Sequence, residues 1–228
     1  MIQPSNASRA KLPVEETLSS IRPVLHALLA HFTQAAEQKG RHRVMFVSPE
    51  SGDGTTTIAT SAALMLVRHL RRQVALIEAN IYSPAMAAYL DIPPGPGLLE
   101  VASGEALGAE AVRNSKLHGL YVLTAGGGHQ PGEGELAGEE MRDLIVDVSE
   151  KHNFTIIDAP PLLEHPETCL LLEHVDEVLL VVRAGSTYSN RAKAAVRIVE
   201  DAGVQISGVF LNRFKPNLPF GLGHKRKA

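Results

Sequence analysis

Short apolar runs alternate along this chain with longer segments in which apolar residues recur every three or four positions. Strands are predicted for the short runs, which are rich in aliphatic residues and bounded by turn residues: RVMFVS, QVALIEA, LYVLTAG, FTIIDAPP, EVLLVVRAG and ISGVFLN. Helices are predicted for TTTIATSAALMLVRHL, ELAGEEMRDLIVDVSEKH, HPETCLLLEHV and NRAKAAVRIVEDAG, and a loop with short helical pieces for IYSPAMAAYLDIPPGPGLLEVASG. Because alternating strands and helices favour right-handed crossovers, we expect an α/β fold, a mostly parallel sheet with helices on both faces.

The pattern divides the chain into one long region and two polar ends. A chain of 228 residues is long enough for one α/β domain with a sizeable core, and we place that domain at residues 14 to 214. Residues 1 to 13 and the basic segment 215 to 228 lack the pattern, so we expect both to be flexible. An amphipathic helical stripe over residues 14 to 32 is interrupted by Pro23, which predicts a restart or a kink.

Composition narrows the function classes. The formal net charge of −3 and the 4% aromatic content provide no electrostatic or stacking reason to expect a nucleic-acid partner. A single cysteine, Cys169, excludes an intrachain disulfide and fits a reducing cytoplasm. No secretory signal and no apolar run of about 18 residues is present, so we expect membrane association only through another protein or a peripheral contact. The ten histidines lack metal-ligand spacing and are interpreted as structural.

The segment SPESGDGTTT, residues 48 to 57, follows a predicted strand and opens a predicted helix, which is the context of a phosphate-binding loop. Its glycines allow backbone amides to approach phosphate, and the helix N-terminus attracts anions. Lysine normally stands at the position of Thr55, and a Mg²⁺-binding hydroxyl at that of Thr56. Because a hydroxyl at Thr55 removes a charge-assisted contact, we expect ATP or ADP binding to be weak and phosphoryl transfer slow. The residues predicted to contact nucleotide here are Gly52, Asp53, Gly54, Thr55, Thr56 and Thr57.

Polar residues end two of the predicted strands. Asp158 closes the run FTIID, where a carboxylate can orient Mg²⁺ directly or through water, and we predict that Thr56 and Asp158 are the metal ligands. Glu78 and Asn80, in LIEAN, lie on one face of an earlier strand and form the candidate second acidic motif. A mere strand-end turn acid is the alternative for Asp158. The glycine-rich segment 125 to 135 also follows a strand, but no helix begins promptly there, so we interpret it as a surface loop.

Seven segments, taken together, resemble the bacterial tyrosine kinase domains (BY-kinases) of capsule and exopolysaccharide synthesis. In chain order they are SPESGDGTTT, ALIEANIYSP, GLLEVASGE, GLYVLTAGG, FTIIDAPP, EVLLVVRAGST and ISGVFLNR, and the resemblance as a whole runs from about Glu15 to Arg213. The resemblance implies a P-loop NTPase-like fold of the class that includes the MinD and ParA ATPases, with ATP and Mg²⁺ as cofactors. Gly52, Gly54, Thr56 and Asp158 match the family's phosphate and magnesium positions, and Asn212 matches a position that often meets adenine.

The chain departs from this family at the groups that carry its chemistry. The family has lysine at Thr55, aspartates at Glu78 and Asn80, and a C-terminal tyrosine cluster that is autophosphorylated in trans. The C-terminal segment FKPNLPFGLGHKRKA contains no tyrosine, and the tyrosines elsewhere are scattered. In the ring-forming helix Glu-x-x-Arg-x-x-Arg, the segment ETLSSIR has Ser19 in place of the central arginine, which puts ring formation in doubt. Together these losses predict a pseudokinase.

The leading hypothesis is therefore a catalytically impaired, tyrosine-kinase-like component of exopolysaccharide or capsule biosynthesis and export. The resemblance implies an inner-membrane co-polymerase or chain-length subunit as partner, a cytoplasmic location peripheral to that membrane, and homo-oligomers. The alternative is an active ATP-dependent tyrosine autokinase or ATPase in which another cation replaces the missing lysine. A MinD/ParA-type positioning ATPase ranks last, because Glu50 stands where that class has its signature lysine.

Overall fold

The fold is known from a computed structural model that describes residue 28 and residues 30–34, 41–128, 136 and 138–214. Within the predicted N-terminal helix, residue 28 and residues 30–34 are helical. The two ends predicted to be flexible, the segment around Pro23 and the ring-forming motif lie outside the described residues. The assignment of residues 14 to 214 to one domain stays a prediction.

A seven-stranded sheet forms the centre of the molecule, in the order β3-β4-β2-β5-β1-β6-β7. All neighbouring strands run parallel except β3, which pairs antiparallel with β4 at one edge. This confirms the predicted α/β class with its mostly parallel sheet. The strands are β1 (His42–Val47), β2 (Val74–Glu78), β3 (Val112–Asn114), β4 (Leu120–Leu123), β5 (Phe154–Asp158), β6 (Glu177–Arg183) and β7 (Ile206–Asn212).

The helices lie close to the predicted positions, but one of them is of a different helix type. Helix α1 has the predicted bounds, whereas the segment predicted from HPETCLLLEHV is a 3-10 helix. The predicted loop after β2 contains two helices of five residues each. The helices are α1 (Thr55–Leu70), α2 (Met86–Leu90), α3 (Leu98–Ala102), α4 (Gly108–Ala111), α5 (Glu139–Lys151), the 3-10 helix (Pro166–His174) and α6 (Ser189–Asp201).

Two apolar clusters, one on each face of the sheet, explain why the strand sequences are almost continuously apolar. Val44 and Phe46 of β1 pack with α1 and α2, while Met45 and Val47 pack with α3, α5 and α6 on the other face. A central strand of a parallel sheet is covered on both faces, so both sets of alternate residues must be apolar. This confirms the prediction of helices on both faces.

Strand order brings the candidate chemistry to one edge of the sheet. Strand β5 lies between β1 and β2, and Asp158 is in register with Phe46 on one side and Glu78 on the other. The carboxyl ends of these three parallel strands therefore meet at the edge where ligands of such sheets bind. No helix in the described part of the chain is both long and apolar enough to cross a membrane.

Candidate nucleotide site

The phosphate loop joins β1 to α1 and requires glycine at two positions. Gly52 and Gly54 have φ angles of 83° and 97°, in the left-handed region that glycine adopts without strain. At Gly54 a Cβ atom would also overlap the side-chain amide of Asn212. Gly54 is the residue that precedes the first turn of the 16-residue helix α1, so the positive end of that helix faces the loop.

Two contacts from distant parts of the chain, one from the end of β7 and one from the segment after β6, hold the loop from the inside. The Asn212 side-chain Nδ2 donates to the carbonyl oxygen of Asp53 at 2.7 Å. The buried Asp53 carboxylate accepts a hydrogen bond of 2.6 Å from the Thr187 hydroxyl. Asp53 and Asn212, which the sequence predicts as nucleotide contacts, are thus joined to each other and support the loop. Their contact with nucleotide stays a prediction.

Two ionic contacts hold the loop from the outside. The backbone N–H and the hydroxyl of Ser51 donate to the Glu164 carboxylate at 2.6 Å and 2.5 Å. Glu50 forms an ion pair with Arg191, whose Nε and Nη2 lie 2.7 Å and 2.6 Å from the same carboxylate oxygen. Burial tends to raise the pKa of Glu164, but the hydrogen bonds from Ser51 outweigh it and lower that pKa overall. The outer rim of the loop therefore carries negative charge.

The three threonines after Gly54 begin helix α1. Thr55, at the position of the missing lysine, is buried with 7% of its surface exposed, while Thr56 and Thr57 are half-buried. A buried threonine supplies a hydroxyl but no charge. Anion binding at this helix end consequently depends on backbone amides and the helix dipole.

Asp158 is the most unusual group at this edge. Its side chain is fully buried, and neither carboxylate oxygen has a hydrogen-bond partner of ordinary geometry among the described residues. Burial raises the pKa of Asp158 to about 8; the nearby Thr56 hydroxyl lowers it in part, although no regular hydrogen bond joins the two, and the Glu78 carboxylate raises it further. The carboxyl group is therefore largely protonated at neutral pH unless a cation lies beside it.

These residues suit Mg²⁺. A buried carboxylate without a partner, beside a threonine hydroxyl at the N-terminus of α1, offers the hard oxygen ligands that this ion prefers. In the described ranges no group of three or more His, Cys, Asp or Glu side chains could hold a metal by itself. Mg²⁺ does not need one, since it keeps several waters and binds through one or two carboxylates together with substrate phosphates. The metal-ligand roles of Thr56 and Asp158 stay predictions.

Glu78 bonds to the backbone in this structure. One of its oxygens accepts the N–H groups of Ala85 and Met86, both at 2.6 Å, and the other accepts that of Ala125 at 3.1 Å. Burial raises the pKa of Glu78, and these hydrogen bonds oppose the rise. Glu78 thereby ties β2 to α2 and to the end of β4. Asn80 lies beside it, half-buried, and its side-chain oxygen has no hydrogen-bond partner in the described part of the chain. The roles of Glu78 and Asn80 toward a ligand stay predictions.

A second carboxylate fills the glycine-rich loop after β4. The Glu100 carboxylate accepts the N–H groups of Gly97, Gly127 and Gly128 at 2.7 Å, 3.0 Å and 2.5 Å. The amides that could cradle a phosphate are therefore occupied from within the chain. A groove of about 780 Å³ opens between this loop and residues 84–96, and no phosphate-loop residue lines it.

Sequence reasoning missed three residues that contact the phosphate loop. Glu164, Thr187 and Arg191 lie 113, 134 and 141 residues from their partners along the chain. Each follows a predicted strand, so its place near the carboxyl edge of the sheet was the available signal. That signal does not say which side chains reach the loop.

Comparisons with known proteins agree with the fold. No protein-family model matches the chain. Among curated proteins, it is 25% identical to the tyrosine-protein kinase Ptk of Acinetobacter johnsonii over 198 residues, which are 86% of this chain and 26% of that protein. It is 24% identical to the putative tyrosine-protein kinase EpsB of Ralstonia solanacearum over 208 residues, 91% of this chain and 27% of that protein. The chain thus spans about a quarter of the length of these relatives.

Solved structures extend the comparison to the fold. The kinase domain of VpsO is 26% identical with a TM-score of 0.76, and the match covers 89% of this chain and all of that one. MinD of Pyrococcus horikoshii, solved with Mg-ADP, has a TM-score of 0.63 at 21% identity over 76% of this chain and 70% of that one. Fold and phosphate loop define a P-loop NTPase-like protein. Within that class, the similarity to Ptk, EpsB and the kinase domain of VpsO supports the bacterial tyrosine kinase (BY-kinase) family.

Proposed function

We propose that this chain is a nucleotide-responsive, kinase-like domain with impaired phosphoryl transfer that acts with a membrane co-polymerase subunit in capsule or exopolysaccharide production. One observation carries the proposal. The buried, unpartnered carboxylate of Asp158 stands beside an intact glycine loop, while the buried Thr55 occupies the position of the phosphate-binding lysine.

The charges around the loop support weak binding and slow transfer. Glu50, Asp53 and Glu164 contact or belong to the loop, and Arg191 is the cation paired with it. A nucleoside di- or triphosphate therefore approaches a rim with more acids than bases. Catalysis of phosphoryl transfer depends on positive groups placed around the transferred phosphate, and loss of one such group typically costs about 100- to 1000-fold in rate.

Mg²⁺, when bound, would neutralise phosphate charge beside the loop. Thr56 and Asp158 are the residues that would hold it. Because burial keeps the Asp158 carboxyl protonated near neutral pH, binding of the ion would require this group to release its proton. Nucleotide affinity should then rise with pH between about 6 and 8. This coupling makes the site suited to conformational control by nucleotide.

The partner is proposed from the relatives. The family resemblance implies a membrane co-polymerase, and one similar chain is named a putative tyrosine-protein kinase in the cps region of Klebsiella pneumoniae. A chimeric protein CapA2B2 also shares this fold. We propose a cytoplasmic location, peripheral to the inner membrane through that subunit. Direct titration of the chain with the cytoplasmic segments of membrane co-polymerase subunits from its own source tests the pairing, and absence of binding to them would contradict it.

Calorimetric titration with ADP and with ATP, each with Mg²⁺, tests the nucleotide claim. We expect binding in the micromolar range for the native chain and none for Asp158→Asn. Asp201→Asn, an exposed change far along α6, is the charge-matched control and should bind normally. Thr55→Lys should tighten ADP binding about tenfold by restoring one charge-assisted contact. No heat of binding at millimolar nucleotide in the native chain would refute the proposal.

An active autokinase or ATPase is the second candidate, because a cation does lie against the loop in the form of Arg191. It predicts nucleotide turnover or phosphotyrosine that disappears in Asp158→Asn. Turnover at rates usual for kinases, about 1 to 100 per second, would favour this candidate over impaired transfer.

A further inference from the structure

We propose that Arg191 is the phosphate-binding cation of this loop, held by Glu50 in the free protein and transferred to the phosphates when nucleotide binds. The inference rests on the proposed nucleotide function and names the residue that replaces the missing lysine. Neither the sequence pattern nor the family resemblance points to this residue, which lies in helix α6, far along the chain from the loop.

The geometry places the guanidinium at the rim of the loop. Two of its nitrogens, Nε and Nη2, lie 2.7 Å and 2.6 Å from one oxygen of Glu50, the residue directly before the Ser51–Thr57 run. The side chains are 44% exposed for Arg191 and 30% exposed for Glu50, so neither is locked in place by packing. Rotation about the side-chain bonds of arginine can therefore move the charge between Glu50 and an anion on the loop.

The position of Arg191 within its helix is unfavourable without an anion. It lies in the first turn of the 13-residue α6, beside the positive end of the helix dipole, and that turn contains no acidic residue. In the free protein, the negative charge that compensates Arg191 comes from Glu50, which lies outside this helix. A bound phosphate offers more negative charge and two oxygens for a bidentate contact, which the planar guanidinium matches better than a lysine ammonium does.

Carboxylates near the phosphate loop repel phosphate, so a cation at the loop would favour nucleotide binding. Asp53 accepts from Thr187 just before α6, and Glu164 bonds Ser51 beside the ion pair. The ionic contacts among the described residues place no other lysine or arginine on the loop. If Arg191 did not contact phosphate, the loop would bind an anion with only helix dipole and amides against several carboxylates.

The two members of the ion pair should have opposite effects on nucleotide affinity, which a purely structural ion pair would not produce. Arg191→Ala removes the cation, so we expect ADP·Mg²⁺ to bind about tenfold more weakly. Glu50→Gln removes the competing carboxylate and frees the guanidinium, so we expect binding to tighten about threefold. Arg191→Lys should have an affinity for ADP·Mg²⁺ between those of Arg191→Ala and the native chain, because lysine keeps the positive charge but cannot form the bidentate contact of a guanidinium.

Calorimetry of the chain with ADP·Mg²⁺ measures these affinities, with Arg197→Ala, an exposed arginine on the same helix, as the matched control. Thermal unfolding of each variant shows that it is folded. Weaker binding in Arg191→Ala together with tighter binding in Glu50→Gln supports the inference. Equal binding by Arg191→Ala and Arg197→Ala overturns it, as does weaker binding in both ion-pair variants.

Failure of the proposed function has a different signature. If the native chain binds ADP, Asp158→Asn does not, and Arg191→Ala binds like the native chain, the nucleotide site stands and the role of Arg191 is refuted. If the folded native chain binds no ADP at millimolar concentration, both proposals are refuted together.

Discussion

Two buried carboxylates at opposite ends of the sheet have opposite electrostatics. Asp158 ends β5 at the carboxyl edge, and Glu177 begins β6 at the amino edge. Glu177 accepts hydrogen bonds from His31 Nε2 at 2.7 Å, from His42 Nε2 at 2.8 Å and from the Ser207 hydroxyl. Burial raises the pKa of Glu177, but these donors, led by His42, lower it to about 2, whereas burial raises that of Asp158 to about 8.

The difference lies in the partners that each environment provides. Donors from the N-terminal helical segment, β1 and β7 converge on Glu177, so its charge is satisfied within the chain and serves the fold. Asp158 is buried more completely, and among the described residues the only donor near it is the Thr56 hydroxyl, which forms no regular hydrogen bond with it. Buried polar groups without a partner are rare in folded proteins. We therefore expect an external cation beside Asp158, at the carboxyl edge where ligands bind. Glu177, at the amino edge, is by contrast a structural carboxylate whose charge is satisfied by the protein itself.

The largest effect should come from Glu177→Ala, which leaves two histidines and a serine without their shared acceptor. We expect the free energy of unfolding to fall by about 4 kcal/mol, because the buried His42 Nε2 loses its partner and the contacts of Ser207 and of the half-exposed His31 are lost as well. Urea unfolding followed by circular dichroism measures the change. Glu200→Ala, at an exposed site on α6, is the control. A similar small effect in both variants would show that the Glu177 cluster does not hold the sheet together.

A smaller effect is expected from Asp158→Asn. This change should raise the free energy of unfolding at neutral to basic pH, whereas Glu177→Ala lowers it. The folded-state pKa of about 8 lies above the value of 3.8 for an unperturbed aspartate, so the fold favours the protonated form. The stability linked to this group is fully present below about pH 4 and is lost as pH rises towards 8. Asparagine imitates the protonated acid. The full shift corresponds to about 5 kcal/mol at pH 8, and water penetration and relaxation around the carboxyl group reduce the expected gain of the variant to about 3 kcal/mol.

Stability measured across pH 4 to 8 in the native chain and in Asp158→Asn provides this test. The difference between the two should vanish near pH 4. Glu177 contributes in a separate window: its folded pKa is lowered, so its stabilisation is present above about pH 4.5 and is lost as pH falls towards 2. A pH-independent difference between the Asp158 variant and the native chain would contradict the raised pKa.

A third effect, of intermediate size, concerns the loop itself. Gly54→Ala would put a Cβ against the Asn212 amide at a backbone φ of 97°. We expect a loss of about 2 kcal/mol in the free energy of unfolding and loss of detectable ADP binding. Gly203→Ala is the matched control, because its φ is also positive, at 77°, but its Cβ would meet no atom nearby. If both substitutions lowered the free energy of unfolding equally, backbone strain alone, and not the contact with Asn212, would explain why glycine is required at position 54.

The smallest effect should come from Ser207→Ala, which removes one of the three donors to Glu177. We expect about 1 kcal/mol of destabilisation by urea unfolding, since His31 and His42 still satisfy the carboxylate. The unfolding midpoint of this variant should also shift to a higher pH on the acid side, because the pKa of Glu177 loses one of its lowering contacts. An acid midpoint identical to that of the native chain would contradict the contribution of Ser207.

Particular elements show how far prediction from sequence reached. The sequence predicts helix α1 with its observed bounds, because Gly54 marks its start and a nearly continuous run of small and apolar residues, all buried from Ile58 to Val67, follows. Strand β3 was not predicted: the three residues VRN are too short to show an alternating pattern, and only pairing with β4 makes them a strand. The segment of the 3-10 helix has the same apolar content as an α-helix, so its sequence could not distinguish the two.

The sequence by itself determined the class of fold, the place of the phosphate loop and the absence of a lysine at Thr55, because these depend on local pattern and residue type. Only the tertiary structure decided which carboxylates are satisfied. Glu78 and Glu100 bond to backbone amides, Glu50 pairs with Arg191, and Asp158 is left without a partner. The electrostatic state of a carboxylate depends on burial and on donors that come from distant parts of the chain. Neither the burial of a carboxylate nor its distant hydrogen-bond donors can be predicted from the local sequence.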